Sequence, residues 1–378
     1  MVGCIGAFGA VFTHVMFSSR FWQRYLLPGF VFQSMVIAGG YGTGRELIEF
    51  FLQFGPTGGL LGMWLVSTVV WSAVCAVTFE LARMTKSYEY RSFTRVLLGR
   101  AWWLYEVCYL VIMIIVLSVI AAAAGTITEE IFSVPYLVGV VLMMIAVGFL
   151  VLKGTALVEK FLSFWSLVLY AVYIAFLVAC LYQFGSDIRA GLALGEVKLG
   201  WFQGGIEYAA YNVGTLPAIL FAIRHIERRK EAVVAGLLAG PIAIIPGFVF
   251  YLSMVGFYPA IVSETVPSIV LLESLGSRAF LLVFQVMLLG TLVETGTALI
   301  HAFNERLASS FEDKQKALPK GARPVVAVVL LALATLVAQA GLEELISTGY
   351  GTVTYGFWLV YLLPVLTWGV VRVVRSRG

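Results

Sequence analysis

The chain has 378 residues, 61% of them apolar and only 12% charged, with a formal net charge of +4. Soluble domains carry about a quarter charged residues, and the mean hydropathy here is +0.95, so a soluble enzyme, a secreted domain and a disordered chain are excluded. The basic residues sit in short stretches between bilayer-length apolar runs, which argues against a nucleic-acid surface and for an all-α integral membrane protein.

In chain order, residues 1–20 form a short apolar extension whose charge follows the apolar stretch. A cleaved signal has the opposite order, and no function is assigned to the segment. Ten predicted spans follow, at 25–54, 58–82, 102–126, 134–152, 160–184, 201–224, 232–256, 277–304, 324–341 and 349–371, and 372–378 is a short basic tail. With the N-terminus inside, all but four of the 25 basic residues fall on the cytoplasmic side. The exceptions are Arg189, Lys198 and Arg278 outside and Arg45 within a span. This bias predicts a cytoplasmic-membrane protein with both termini cytoplasmic. Cys4, Cys75, Cys108 and Cys180 have no paired spacing, so neither a disulfide framework nor a metal motif is expected.

The spans repeat. Spans 6 to 8 start about 175 residues after spans 1 to 3, and spans 9 and 10 about 190 after spans 4 and 5, with an insertion in the 305–323 loop. Residues 25–184 and 201–371 are therefore two five-span units. Because five is odd, the second unit is inverted, the layout of alternating-access transporters.

The first span of each unit carries helix-breaking residues. Span 1 contains Gly39-Gly40-Tyr41-Gly42-Thr43-Gly44-Arg45-Glu46, and each interior glycine costs about 1 kcal/mol relative to alanine. Span 6 contains Tyr211-Asn212-Val213-Gly214-Thr215-Leu216-Pro217, where the proline removes a backbone donor. Non-helical backbone at membrane depth is tolerated only where protein buries it or it lines a cavity. The expectation is two helices interrupted at the midplane around a solute. The half-helix from Thr43 offers N–H groups to an anion. The carbonyls of Val36, Gly39 and Asn212 suit a cation or ammonium, and Tyr41, Tyr109 and Tyr211 close the site. A Gly42→Val change is expected to fill the ligand's space.

Intramembrane charges are functional candidates. Arg45 and Glu49 are spaced i,i+4, with Glu207 as an alternative partner for Arg45, and either pairing suits an outer gate or a structural ion pair. Thr291, Glu294 and Thr295 share a helical face and offer oxygens to Na⁺, while Glu46 and Glu294 are equally proton carriers. Lys160 is a snorkelling residue or a counter-charge at the cation site. No resident cofactor is expected beyond Na⁺ or H⁺ as coupling ion.

The run Gly40-Tyr41-Gly42-Thr43-Gly44-Arg45-Glu46, followed by Phe50-Phe51 and Phe54-Gly55, resembles the YkvI-like bacterial membrane proteins. These form a branch of the amino acid–polyamine–organocation superfamily, and the resemblance spans nearly the whole chain. It implies a LeuT-type 5+5 fold, with Gly40, Gly42 and Gly44 lining a substrate site and Arg45 at an outer gate. It also implies a cation site shared by Val36, Gly39 and the Thr291–Thr295 segment. One departure is that Leu292 follows Thr291, where Na⁺-coupled relatives place adjacent hydroxyl residues. This favours H⁺ at Glu46 or Glu294. The function expected is cation-coupled secondary transport of a small amino-acid-like or amine solute. A membrane nutrient receptor is the alternative. An intramembrane enzyme is disfavoured, since no catalytic pair lies near the midplane.

Overall fold

The computed structural model describes residues 19–37, 39–153, 155–312, 319 and 321–376. Most of the 1–20 extension and the side chain of Lys160 lie outside the described residues. Every regular element among them is a helix. This follows from a solvent without hydrogen-bonding groups, in which each segment must satisfy its own backbone.

The first expected span is three short pieces: α1 (Leu27–Val36), α2 (Gly39–Thr43) and α3 (Arg45–Phe50). Next come α4 (Pro56–Thr85), the short amphipathic α5 (Tyr90–Leu98), α6 (Trp102–Phe132), α7 (Tyr136–Lys153) and α8 (Thr155–Ala193). The second half begins with α9 (Trp201–Gly214), which continues as a 3₁₀ segment, Leu216–Ile223, bent 57° from it. It goes on through α10 (Arg229–Val255), α11 (Pro267–Ser274), α12 (Arg278–Glu312), α13 (Ala322–Ala340) and α14 (Leu342–Arg375).

Seven helices among the described residues are long and apolar enough to cross a bilayer, and the bent pair makes an eighth. Of the ten predicted spans, the two left over are the broken α1–α3 stretch and α7, a shorter apolar helix. Several boundaries move, and one connection gains a helix. The helix of the fifth expected span runs on to Ala193, and the stretch between the seventh and eighth carries α11.

Small residues set the tightest packing. A Cβ built on Gly236 of α10 would stand 2.3 Å from the Ala76 Cα on α4, and one on Gly240 would stand 2.6 Å from the Thr68 carbonyl oxygen. Gly236 and Gly240 are four residues apart on one face, the spacing that lets membrane helices touch backbone to backbone. The Ser72 hydroxyl then reaches across to the Leu237 carbonyl at 2.9 Å. On the outside, α7, α8 and α13 expose Ile145, Phe149, Ile174, Val178, Val328 and Leu336. Such an apolar belt faces lipid.

Candidate functional site

Two backbone discontinuities lie side by side. In the first, Ile37 leaves the helical region (φ −77°, ψ 79°) after α1, and Gly44 adopts φ 88° between α2 and α3. A left-handed residue costs an L-amino acid about 1–2 kcal/mol, and here a Cβ would also stand 2.7 Å from the Phe250 ring. In the second, α9 ends at Gly214, where a Cβ would stand 2.3 Å from the Phe357 ring, and the chain turns at Thr215. Glycine is needed at both places for lack of room, and at Gly44 for conformation as well.

Glu46 joins the two discontinuities. It is 1% exposed, and its Oε2 accepts a 2.7 Å hydrogen bond from the Tyr211 hydroxyl of α9. Tyr350 of α14 stacks on Tyr211 with ring centroids 4.6 Å apart and brings its hydroxyl to the same carboxyl group. Oε1 has no hydrogen-bond partner among the described residues. Phe50, Phe51, Trp71 and Tyr208 complete an aromatic wall, and Trp71 Nε1 donates to the Ala209 carbonyl at 3.1 Å.

Arg45 points elsewhere. Its guanidinium donates to Glu343 at 2.7 Å, to Glu49 at 3.4 Å, and to the carbonyls of Val262 and Glu264 at 3.3 and 3.0 Å. One side chain thus ties α3 to the start of α14 and to the segment before α11. Glu207 is not its partner; it is half-buried and accepts from Gln203 at 2.7 Å. Glu343 takes that place.

Several expected roles change. The Asn212 carbonyl is not free for a cation, because it accepts from both the Thr215 amide and the Thr215 hydroxyl. The Asn212 amide donates to Tyr208, and the Gly214 carbonyl accepts from Tyr105 at 2.8 Å. The three tyrosines do not share one lid. Tyr41 packs on Gly247, Tyr211 lies at Glu46, and Tyr109 stacks on Tyr90 and Tyr105. Gly42 faces a side chain, since its Cβ would stand 2.3 Å from Leu288 Cδ1. Thr291 donates to the Met287 carbonyl and accepts from Trp165, and Thr295 donates to the Thr291 carbonyl. Those hydroxyls are engaged along α12 rather than with Val36 and Gly39, and Glu294 is half-buried rather than buried. Thr43 is fully buried, with its hydroxyl oxygen 3.4 Å from the Arg45 amide.

Sequence reasoning missed Tyr350 and Gln285. Gln285 interrupts an apolar run on α12, and that interruption was its signal. It is fully buried, and neither end of its amide has a hydrogen-bond partner among the described residues.

No family model matches the chain. YkvI of Bacillus subtilis strain 168, an uncharacterised membrane protein, is 23% identical over 333 residues, covering 85% of this chain and 89% of that one. Among solved structures, MhsT in complex with L-phenylalanine superposes with a TM-score of 0.59 at 16% identity, over 91% of this chain and 88% of that one. The fold is LeuT-type. A manganese transporter of Eremococcus coleocola, in a mutant form, gives 0.53 at 16% identity, over 91% of this chain and 78% of that one. With its spanning helices, the chain is a multi-pass membrane protein of that fold.

Proposed function

We propose that the protein is a secondary transporter of the cytoplasmic membrane. It moves a small amino-acid-like or amine solute by alternating access, driven by a cation gradient. In this reading the chain has ten spans in two inverted five-span units, with both termini cytoplasmic and the α2–α3 and α9 discontinuities near the midplane. The carrying observation is the contact between those discontinuities at Glu46 and Tyr211. The solute lies against the backbone of Gly39 to Thr43, with Tyr41, Tyr211, Asn212 and Thr215 around it, and MhsT with its bound L-phenylalanine supports this solute class. Arg45, Glu49 and Glu343 form the outer gate, a role supported by the ion pairs that join them. For the driving cation, Glu46 and the Thr291–Glu294–Thr295 face with Val36 are the candidate groups, and a role for Lys160 is proposed only as a counter-charge.

Uptake into proteoliposomes, across a panel of amino acids and amines under Na⁺ and pH gradients, tests this. Saturable gradient-driven uptake is expected. Solute binding without flux would replace transport by sensing, and neither binding nor flux across the panel would end the proposal.

A further inference from the structure

We infer that Glu46 is the group that takes up the coupling proton, and that its protonation releases α14 from α3. This deepens the transport proposal and rests on it. The six-residue α3 meets α14 through two consecutive residues. Arg45 holds Glu343 at 2.7 Å, while Glu46 faces Tyr350, with a π-helical turn, Leu345–Tyr350, filling the stretch between those partners. Neighbouring residues on a helix point in different directions, so the two contacts form a double clamp. One is an ion pair whose acid is more than half exposed, and the other is fully buried.

The surroundings of Glu46 select the ion. Tyr208 stands edge-on to Tyr211 at 5.6 Å and 87°, and Phe50 lies 5.6 Å from each. Among the described residues the oxygens shown against the carboxyl group are the Tyr211 and Tyr350 hydroxyls. A hard metal cation collects several oxygen ligands, more than these two supply. A proton needs one lone pair and one acceptor. Oε1 supplies the lone pair, and the Tyr208 hydroxyl, buried, without a hydrogen-bond partner among the described residues and within electrostatic reach, supplies the acceptor.

The titratable groups facing Glu46 are Tyr208 and Tyr211 from α9 and Tyr350 from α14. On its own helix, Arg45 and Glu49 are engaged with each other and with Glu343. As a carboxylate, Glu46 accepts a charge-assisted bond from Tyr211, about twice as strong as a neutral one, and attracts the Tyr350 hydroxyl beside it. Once a proton from the aqueous phase sits on Oε1, the group is neutral and both attractions weaken. The α14 contact then rests on the more exposed Arg45–Glu343 pair.

Two measurements on purified protein in nanodiscs test this without any solute. Infrared difference spectra across a pH step should show a protonated-carboxyl band that is lost in Glu46→Gln and kept in Glu294→Gln. Amide hydrogen exchange at one fixed pH should be about tenfold faster across residues 343–351 in Glu46→Gln, the loss of one hydrogen bond to a charged group. Tyr350→Phe, which keeps the ring, should show the same acceleration at unchanged melting temperature. A band that survives in E46Q, or vanishes in E294Q instead, overturns the proton assignment. So does a carboxyl signal that follows Na⁺-for-K⁺ exchange at constant pH. Wild-type exchange rates in both E46Q and Y350F overturn the clamp. Because no solute enters either experiment, the inference can fail while transport stands, or hold in a protein that moves none of the solutes tried.

Discussion

Gly44 has a left-handed backbone and a Phe250 ring where a side chain would go. Gly44→Ala should therefore lower stability by at least about 1–2 kcal/mol from the conformation alone, read as a fall in melting temperature in detergent. An unchanged melting temperature would mean that α2 and α3 can join as one helix. Gln285 predicts the opposite sign. Removing a buried amide that has no hydrogen-bond partner among the described residues, and keeping the volume, is neutral or stabilising, so Gln285→Leu should melt at or above wild type. A clear drop would reveal a partner. Loss of uptake at preserved stability would instead place Gln285 at the solute. Gly42→Val is still expected to be damaging, but through collision with Leu288 of α12 rather than by filling ligand space. Its effect belongs in the melting curve before it appears in any affinity.

At the scale of elements, the α4–α10 contact carries a sharper test. Gly236 meets backbone atoms of Cys75 and Ala76, which cannot rotate away. Gly236→Val must push the two helices apart and should lower the melting temperature by several degrees, as overpacking costs about 1–3 kcal/mol. Gly351, with no described residue within 4 Å of its Cβ position, is the control. Gly351→Ala should be neutral or gain up to about 1 kcal/mol of helix propensity. Equal effects at the two sites would show that contact packing does not set the stability of this bundle. The α10 seam was partly legible beforehand as small residues at helical spacing. Its partner α4 was not, because a stripe of glycine and alanine accepts any helix that brings small residues to meet it.

For the whole molecule, the parity of the span count is decisive. Ten spans put both termini on one side, whereas the seven helices of full spanning length would put them on opposite sides. Reporter fusions active on only one side of the membrane, placed at residue 24 and after residue 376, should report the same cytoplasmic side. Opposite sides would remove either the broken first span or α7 from the set that crosses. The basic loops argue for the even count, since lysine and arginine are held back in the cytoplasm during insertion.

The sequence by itself determined what depends on composition and on local backbone chemistry. It set the membrane class through apolar run lengths. It also set the places where α2–α3 and α9 break, because glycine and proline act on their own few residues. Only the tertiary structure decided which side chains meet at those breaks. Arg45 pairs with Glu343 across nearly three hundred residues of chain, and Glu46 meets Tyr211 and Tyr350 rather than a metal-binding threonine face. The physical reason is rotation about the helix axis. A helix in lipid is apolar on every face, as α6 is along most of its length, so the pattern that points a soluble helix at its core is weak here. Which face turns inward is then settled by packing, and with it the partners of every buried charge.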